Sequence, residues 1–260
     1  MSTEWLYGYH SAYEALRAGR RAFYALWLAE GLPTKRVRPL LELAAQRGVP
    51  VHYRPKDQIT QVTGTRHHQG VALHVGPYPY VPFEDVLAQL PTDEPALLLL
   101  LDQIQDPRNL AALLRTADAV GVHAVIIPKR GQVGVTPTVV HVSAGASEHV
   151  RIARYNLAQA IRALQARDVW VYGLDAGPHA QLITTVDLRG PLAWVVGSEG
   201  QGLRRLVRER CDALVRLPMR GKVASLNASV AGAVALYLTW HARGFATPHD
   251  RDHALTTRDA

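Results

Sequence analysis

Apolar positions change their spacing in a regular way along this chain, and the spacing divides it into elements. In the first 75 residues, short apolar runs alternate with amphipathic stretches. Residues 10–17 carry Ala12, Ala15 and Leu16 at helical spacing, and 39–47 repeat the pattern with Leu40, Leu41, Leu43 and Ala44 before a closing Gly48. Residues 23–28, 51–53 and 71–75 are short and apolar, as strands are. A short helix is predicted at 84–90. Beyond it the alternation sharpens, with strands at 97–101, 124–127, 169–173, 192–196 and 214–217 and helices at 110–120, 157–167, 203–211 and 226–243. Helix 203–211 shows the logic: Leu203, Leu206, Val207 and Cys211 share one side, and Arg204, Arg205, Arg208 and Glu209 the other. Continuous apolar strands alternating with amphipathic helices predict an α/β fold, a parallel sheet covered on both faces.

Between the two halves lies Gly76-Pro77-Tyr78-Pro79-Tyr80-Val81-Pro82. Prolines at this density exclude a central strand and favour an extended, semi-rigid spacer. The chain is therefore divided into a domain at 1–75, a Pro-rich linker at 76–92, a second domain at 93–245 and a tail at 246–260. The tail is polar and charged without apolar period, and disorder is expected there.

Charge adds an asymmetry. The net charge is +7, and residues 1–75 hold ten Lys/Arg against five Asp/Glu, or 10 − 5 = +5. Arg17, Arg20, Arg21, Lys35, Arg36, Arg38, Arg54, Lys56 and Arg66 fall mainly near element ends and loops, as phosphate contacts require. An RNA- or DNA-binding N-terminal domain is expected. Cys211 is the sole cysteine, so neither an intrachain disulfide nor a cysteine metal cluster can form. The N-terminus lacks the basic-then-apolar pattern of a signal peptide, and the run from Ala96 to Leu101 is far too short to span a bilayer. A reducing cytoplasm is the expected compartment.

Candidate chemistry concentrates in three places. Strand 192–196 runs into Gly197-Ser198-Glu199-Gly200-Gln201-Gly202, where the backbone can turn sharply and approach a ligand. A dinucleotide fold puts its glycines after the first strand, but here Leu101 is followed by Asp102-Gln-Ile-Gln-Asp106-Pro107-Arg108-Asn109 without one, which argues against a nicotinamide enzyme. The glycine spacing also fails the Gly-x-Ser-x-Gly elbow of serine hydrolases. Asp106-Pro107 suits a turn, with Asn109 able to cap the next helix. Arg115, on that helix, is open to two readings, an ion pair with Asp118 or Asp102 or a functional cation. Ser225 and Asn227 are both competent caps for the Ala/Gly/Ser-rich helix beyond them, whose small residues allow close helix approach or a subunit interface. His67-His68, His123 and His141 show no ligand spacing, and no metal is expected.

Together these segments resemble the signature motifs of the SpoU/TrmH family of RNA ribose 2′-O-methyltransferases. The matching stretches are Asp106-Pro-Arg-Asn109 through Arg115-Thr-Ala-Asp118 with Gly121-Val-His-Ala-Val, then Val196-Gly-Ser-Glu199-Gly-Gln-Gly202, then Leu217-Pro-Met219 through Ser225-Leu-Asn227-Ala-Ser229. Ser143-Ala-Gly145-Ala-Ser-Glu148 resembles a further family segment. Tyr7-Gly8-Tyr-His10 and His68-Gln69-Gly70 resemble a ribosomal-protein-like RNA-binding domain found in members that methylate a large-subunit rRNA guanosine. Ala111 stands where the family more often has glycine. The resemblance implies a SPOUT fold with a C-terminal deep trefoil knot, S-adenosylmethionine bound in the knot, and a homodimer formed through the knotted domain. It implies a reaction site of Arg115, Asn109, Glu199, Ser225 and Asn227, with Gly197, Gly202, Leu217, Met219 and Leu226 around the cofactor. The implied activity is 2′-O-methylation of a guanosine in 23S rRNA. The same reaction on tRNA, or a non-catalytic RNA-binding relative, are the competing readings.

Overall fold

The computed structural model describes residues 3–246 and contains two sheets. The first half folds as β1 (Glu4–Tyr7), α1 (Tyr9–Ala18), β2 (Phe23–Ala29), α2 (Thr34–Gln46), β3 (Val51–Arg54), α3 (Lys56–Thr63) and β4 (Val71–Val75). Its sheet runs in the order β1-β4-β2-β3, with β4 antiparallel to both neighbours and β3 parallel to β2.

The second half begins with α4 (Phe83–Ala88), β5 (Leu97–Asp102), α5 (Pro107–Ala119), β6 (Ala124–Ile127), α6 (Pro137–Val142) and β7 (Ile152–Arg154). It continues through α7 (Leu157–Gln165), β8 (Trp170–Leu174), β9 (Gln181–Leu182), β10 (Leu192–Gly197), α8 (Arg205–Arg210), β11 (Ala213–Arg216) and α9 (Ala228–Ala242). Seven strands line up as β7-β6-β5-β10-β8-β11-β9, and every pair is parallel.

The apolar run of β5 works on both faces, because successive side chains in a strand point oppositely. Leu97, Leu99 and Leu101 join the core that holds Leu110, Leu113 and Leu114 of α5 and Leu236 of α9. Leu98 and Leu100 join a second core with Leu157, Ile161 and Leu164 of α7. The expected two-sided α/β layering is therefore present. Gly232 lets α5 and α9 approach closely, since a Cβ there would lie 2.5 Å from Leu113 Cδ2. Trp194 of β10, fully buried, donates to Thr239 Oγ1 of α9 at 2.9 Å and ties that helix to the sheet.

Several details differ from the sequence-based expectation. β1, α3, α6, β7 and the two-residue β9 carry too few apolar positions to declare a period, and none was predicted. The helix expected at 203–211 is only α8. Leu203 and Val207 are buried, but Leu206 is 51% exposed, because the helix starts later and Val207 alone faces the sheet. The Pro-rich segment is a docked strap rather than a spacer. Tyr78 is buried and donates to Ser147 O and Val150 O at 3.0 and 2.7 Å, and Val81 N donates to Ile152 O.

Not all of the N-terminal charge is available to a partner. Arg21 donates through Nε and Nη2 to the two carboxylate oxygens of Glu148, both at 2.8 Å, with Arg21 6% and Glu148 1% exposed. Arg20 donates to Val150 O at 2.8 Å. These two arginines fasten the N-terminal domain to the segment around Glu148, while Lys35, Arg36, Arg38, Lys56 and Arg66 remain exposed. Of the tail, only Ala246 falls within the described residues, where its carbonyl accepts from Trp240 Nε1. The disorder expected for 247–260 lies outside them.

Candidate functional site

The site forms where β5 and β10 end side by side, with Gly197 in register with Asp102. The carboxyl ends of parallel strands are where open α/β sheets bind ligands. Gly197 is required by contact. A Cβ on it would lie 2.3 Å from the carbonyl carbon of Gly202 and 2.6 Å from Leu203 N. Gly200 and Gly202 have φ of +80° and +65°, and Ser198 and Gly202 exchange two backbone hydrogen bonds of 3.1 and 3.0 Å. The far side of the turn is held by Asp102. Fully buried, it accepts from Arg204 N at 2.8 Å and Arg204 Nε at 2.7 Å.

This turn projects Glu199 toward two carboxamides. Asn109 Nδ2 donates to Glu199 Oε1 at 2.8 Å. Asn227 Nδ2 donates to Asn109 Oδ1 at 3.1 Å and also to that same Glu199 oxygen. Residues 109, 199 and 227, from three distant parts of the chain, thus form one closed hydrogen-bond set. Asn109 is not the cap of α5. Asp106 takes that place, accepting from Arg108 N at 2.8 Å with Pro107 in the first turn, and so Asn109 is left for Glu199. Between the two candidate caps of α9, the structure uses Asn227. Its Oδ1 accepts from Ser229 N at 2.9 Å, Ser229 Oγ at 2.6 Å and Val230 N at 3.3 Å. Ser225 does not cap the helix and is exposed on the adjoining cavity wall.

A cavity of about 480 Å³ opens beside this set, within the range of small-molecule sites. Its lining includes Gly197, Gly202, Leu217, Met219, Leu226 and Ser225, together with Glu199. Residues 217–227 form neither strand nor helix, and no backbone partner is found for the N–H or C=O of Leu217, Met219 or Leu226 among the described residues. Those groups are free to bind the edge of a polar heterocycle, since unpaired backbone groups seek partners. Asp175, just past β8, also lines the cavity, with its carboxylate held by Gly177 N at 2.6 Å and Arg208 Nη1 at 3.3 Å. It was missed in the sequence. Its place after a parallel strand was the available signal.

A second cavity of about 260 Å³ lies against the first. Ser198, Glu199 and Gln201 belong to both, and Gln103, Ile104, Gln105, Asp106 and Asn109 complete it. Arg115 lines neither. It is exposed and its guanidinium makes no hydrogen bond or ion pair among the described residues, so the pairing with Asp118 or Asp102 is not formed. Asp102 is taken by Arg204, and the Asp118 carboxyl is raised above its ordinary value, first by burial. Six residues separate Asn109 from Arg115, which places them roughly 120° apart around the helix axis.

His68, His123 and His141 have structural partners, while His67 is exposed. Buried His68 accepts from Gly70 N at 2.9 Å and lies 3.0 Å from Thr60 Oγ1; burial and Lys56 hold its pKa down. His123 contacts Glu94 at 3.1 Å, and His141 Nδ1 lies 3.2 Å from Tyr7 O. Ala111, where the family prefers glycine, is fully buried inside α5 without disturbing it.

Comparison with known proteins identifies the family. Residues 96–237 match the SpoU rRNA methylase family, and residues 5–81 match the RNA 2′-O ribose methyltransferase substrate-binding domain. The 23S rRNA (guanosine-2′-O-)-methyltransferase RlmB of Bordetella pertussis is 43% identical over 238 residues, covering 91% of this chain and 96% of the relative. RlmB of Pseudomonas putida is 43% identical over 239 residues, covering 90% and 94%. Among solved structures, the AdoMet-bound rRNA methyltransferase from Sinorhizobium meliloti superimposes with a TM-score of 0.77 at 24% identity, covering 92% of this chain and 87% of that one. With the fold, the two-domain match and the convergence of residues 109, 199 and 227 in hand, the chain belongs to the SpoU rRNA methylase family.

Proposed function

We propose that the protein transfers a methyl group from S-adenosylmethionine to the ribose 2′-hydroxyl of a guanosine in 23S rRNA. The observation that carries this reading is the closed set of Asn109, Glu199 and Asn227 at the rim of the glycine-lined cavity. The cavity suits the cofactor: Gly197 has no room for a side chain where the turn closes, and the backbone groups at Leu217, Met219 and Leu226, without backbone partners among the described residues, are available to an adenine edge. When bound, S-adenosylmethionine supplies the electrophilic methyl group. The protein's own part is alignment and charge stabilisation. Asn109 and Asn227 fix Glu199 through one oxygen, leaving Oε2 without a partner among the described residues to accept from the substrate hydroxyl. Ser225 contributes a hydroxyl at the same wall. A guanidinium stays protonated in proteins, so Arg115 serves as a cation that holds a neighbouring phosphate and stabilises charge developing on the 2′-oxygen.

The proposal includes a cytoplasmic homodimer and a deep trefoil knot in the C-terminal part. Supporting the knot, β10 inserts between β5 and β8, β11 lies beyond β8, and residues 217–227 then return the chain to α5. Supporting the dimer, Val230, Val234 and Tyr237 form an exposed apolar stripe on α9, beside α5. Arg115 lies roughly 120° around α5 from Asn109 and lines neither cavity, so we propose that association through α9 brings it to the partner's reaction site. Ribosomal RNA is favoured over tRNA by the substrate-binding domain docked through Arg21, and the intact site argues against a non-catalytic relative.

The test is methyl incorporation by purified protein into 23S rRNA and into tRNA, followed by mass-spectrometric mapping of the modified ribose. Methylation of 23S rRNA at one guanosine is expected, and its absence refutes the reading. Mixed dimers of Arg115→Ala and Glu199→Ala chains, each inactive alone, should recover activity if the arginine works across the subunit boundary.

A further inference from the structure

We infer that the 260 Å³ cavity receives the target nucleobase and that Asp106 reads it as guanine. The inference rests on the proposed activity and assigns base recognition, which that proposal leaves open. The cavity shares Ser198, Glu199 and Gln201 with the larger one, so the Gly197–Gly202 turn is their common wall. A ribose whose 2′-oxygen meets the methyl donor at that wall must send its base to one side, and this cavity is the adjoining space. It lies just below the roughly 300–1,000 Å³ of ordinary ligand pockets, a size for one base rather than a second cofactor.

Its chemistry is that of base reading. Gln103, Gln105 and Gln201 present carboxamides that have no hydrogen-bond partner among the described residues. Asp106 presents the carboxylate that is not tied to Asn109 or Asn227. Among the described residues only one contact, from Arg108 N to Oδ1, occupies it, and an ionised carboxylate offers about four lone-pair sites. Guanine alone among the four bases carries two adjacent donors, N1–H and N2–H, on its Watson–Crick edge, and a carboxylate accepts from both. Adenine and cytosine would turn a ring nitrogen lone pair toward the same carboxylate, and uracil offers one donor between two carbonyls. Enzymes that act on an extruded nucleotide read it through this edge. The carboxamides then have the guanine O6 as an acceptor for their N–H groups.

Asp106→Asn isolates the role, because asparagine caps helices as well as aspartate does and α5 keeps its start. Asp106→Ser, a second competent cap without a carboxylate, serves as its control. The probe is a 23S rRNA fragment carrying guanosine or inosine, which lacks the N2 amino group, at the mapped position. Wild-type protein is expected to prefer guanosine over inosine by on the order of tenfold to a hundredfold in kcat/KM, the value of one bidentate base contact. Both variants should lose most of that rate on guanosine and show nearly equal rates on the two RNAs, with S-adenosylmethionine affinity by calorimetry unchanged. A guanosine preference that persists undiminished in both variants overturns the assignment, as does a wild-type protein indifferent to inosine. Failure of the wild type to methylate either RNA instead overturns the functional reading, and this inference with it.

Discussion

Replacing Arg21 with methionine tests how the two domains are held together. Burial acts against the Arg21 charge, and the hydrogen bonds and charge of Glu148, then those of Glu4, raise its pKa above the ordinary arginine value. Two bonds of 2.8 Å to a carboxylate that is 1% exposed leave no route for water to replace them. The guanidinium also donates to Gly76 O at 3.1 Å, at the start of the Pro-rich strap. Removing one member of such a pair strands the other, at a cost of about 3–5 kcal/mol. For a chain of this size, each kcal/mol corresponds to a Tm shift of roughly 2–4 °C, so a fall of about 6–20 °C is expected by scanning calorimetry. The double variant Arg21→Met/Glu148→Leu should recover most of the loss, because two apolar side chains replace a buried ion pair with little penalty. The cycle separates the pair from the general effect of a core substitution. In methylation assays Arg21→Met should raise KM for RNA more than it lowers kcat, since the cofactor cavity lies elsewhere. A single-variant loss below about 1 kcal/mol, or a double variant no better than the single, would refute the claim that this pair docks the RNA-binding domain.

Further outcomes follow from the site. Gly197→Ala forces a Cβ to within 2.3 Å of backbone at Gly202, and S-adenosylmethionine affinity by calorimetry should fall by well over tenfold, roughly 1.4 kcal/mol or more, while circular dichroism stays native. Asn227→Asp keeps a competent cap on α9 but sets a carboxylate against Glu199; kcat should drop on the order of a hundredfold with Tm nearly unchanged. Burial, then the charges of Asp212 and Asp102, push the Cys211 thiol up to about 12, so it stays protonated at pH 8. Iodoacetamide should label it only after unfolding in urea, as read by mass spectrometry.

The parts of the fold that were legible in the sequence are those whose physics is local. The five leucines from Leu97 to Leu101 and the apolar run of β10 announce strands buried on both faces, because runs this short and continuous, alternating with amphipathic helices, are the pattern of a covered parallel sheet. The small residues before Leu236 announce close helix packing, and Gly232 against Leu113 is that contact. Tyr78 shows the limit. A proline-flanked tyrosine carries the local signature of an extended linker, and only the distant carbonyls of Ser147 and Val150 turn it into a buried anchor. Arg20 and Arg21 misled for the same reason. Their position in a loop suits a phosphate, and the buried carboxylate that claims Arg21 lies 127 residues away.

The site follows the same division. Gly197, Gly200 and Gly202 could be read as a ligand-approaching turn from spacing alone, since positive φ and missing Cβ atoms are properties of the residues themselves. Spacing alone does not select the carboxamides that meet Glu199, because Asn109 and Asn227, like Asp106 and Ser225, are chemically able to cap a helix. Geometry decided the competition by giving each cap to the residue nearer the helix start. Asp106 and Pro107 begin α5, so Asn109 falls within its first turn with its amide unspent. Asn227 begins α9 and satisfies the helix through Oδ1 alone, leaving Nδ2 for the centre. Glu199 needs both donations, because an acidic side chain on a glycine turn has no fixed direction of its own. Arg115 completes the inverse case. Its guanidinium, on the exposed side of an otherwise well-packed helix, has no internal partner among the described residues, and under the proposed mechanism that charge is kept for the RNA phosphate.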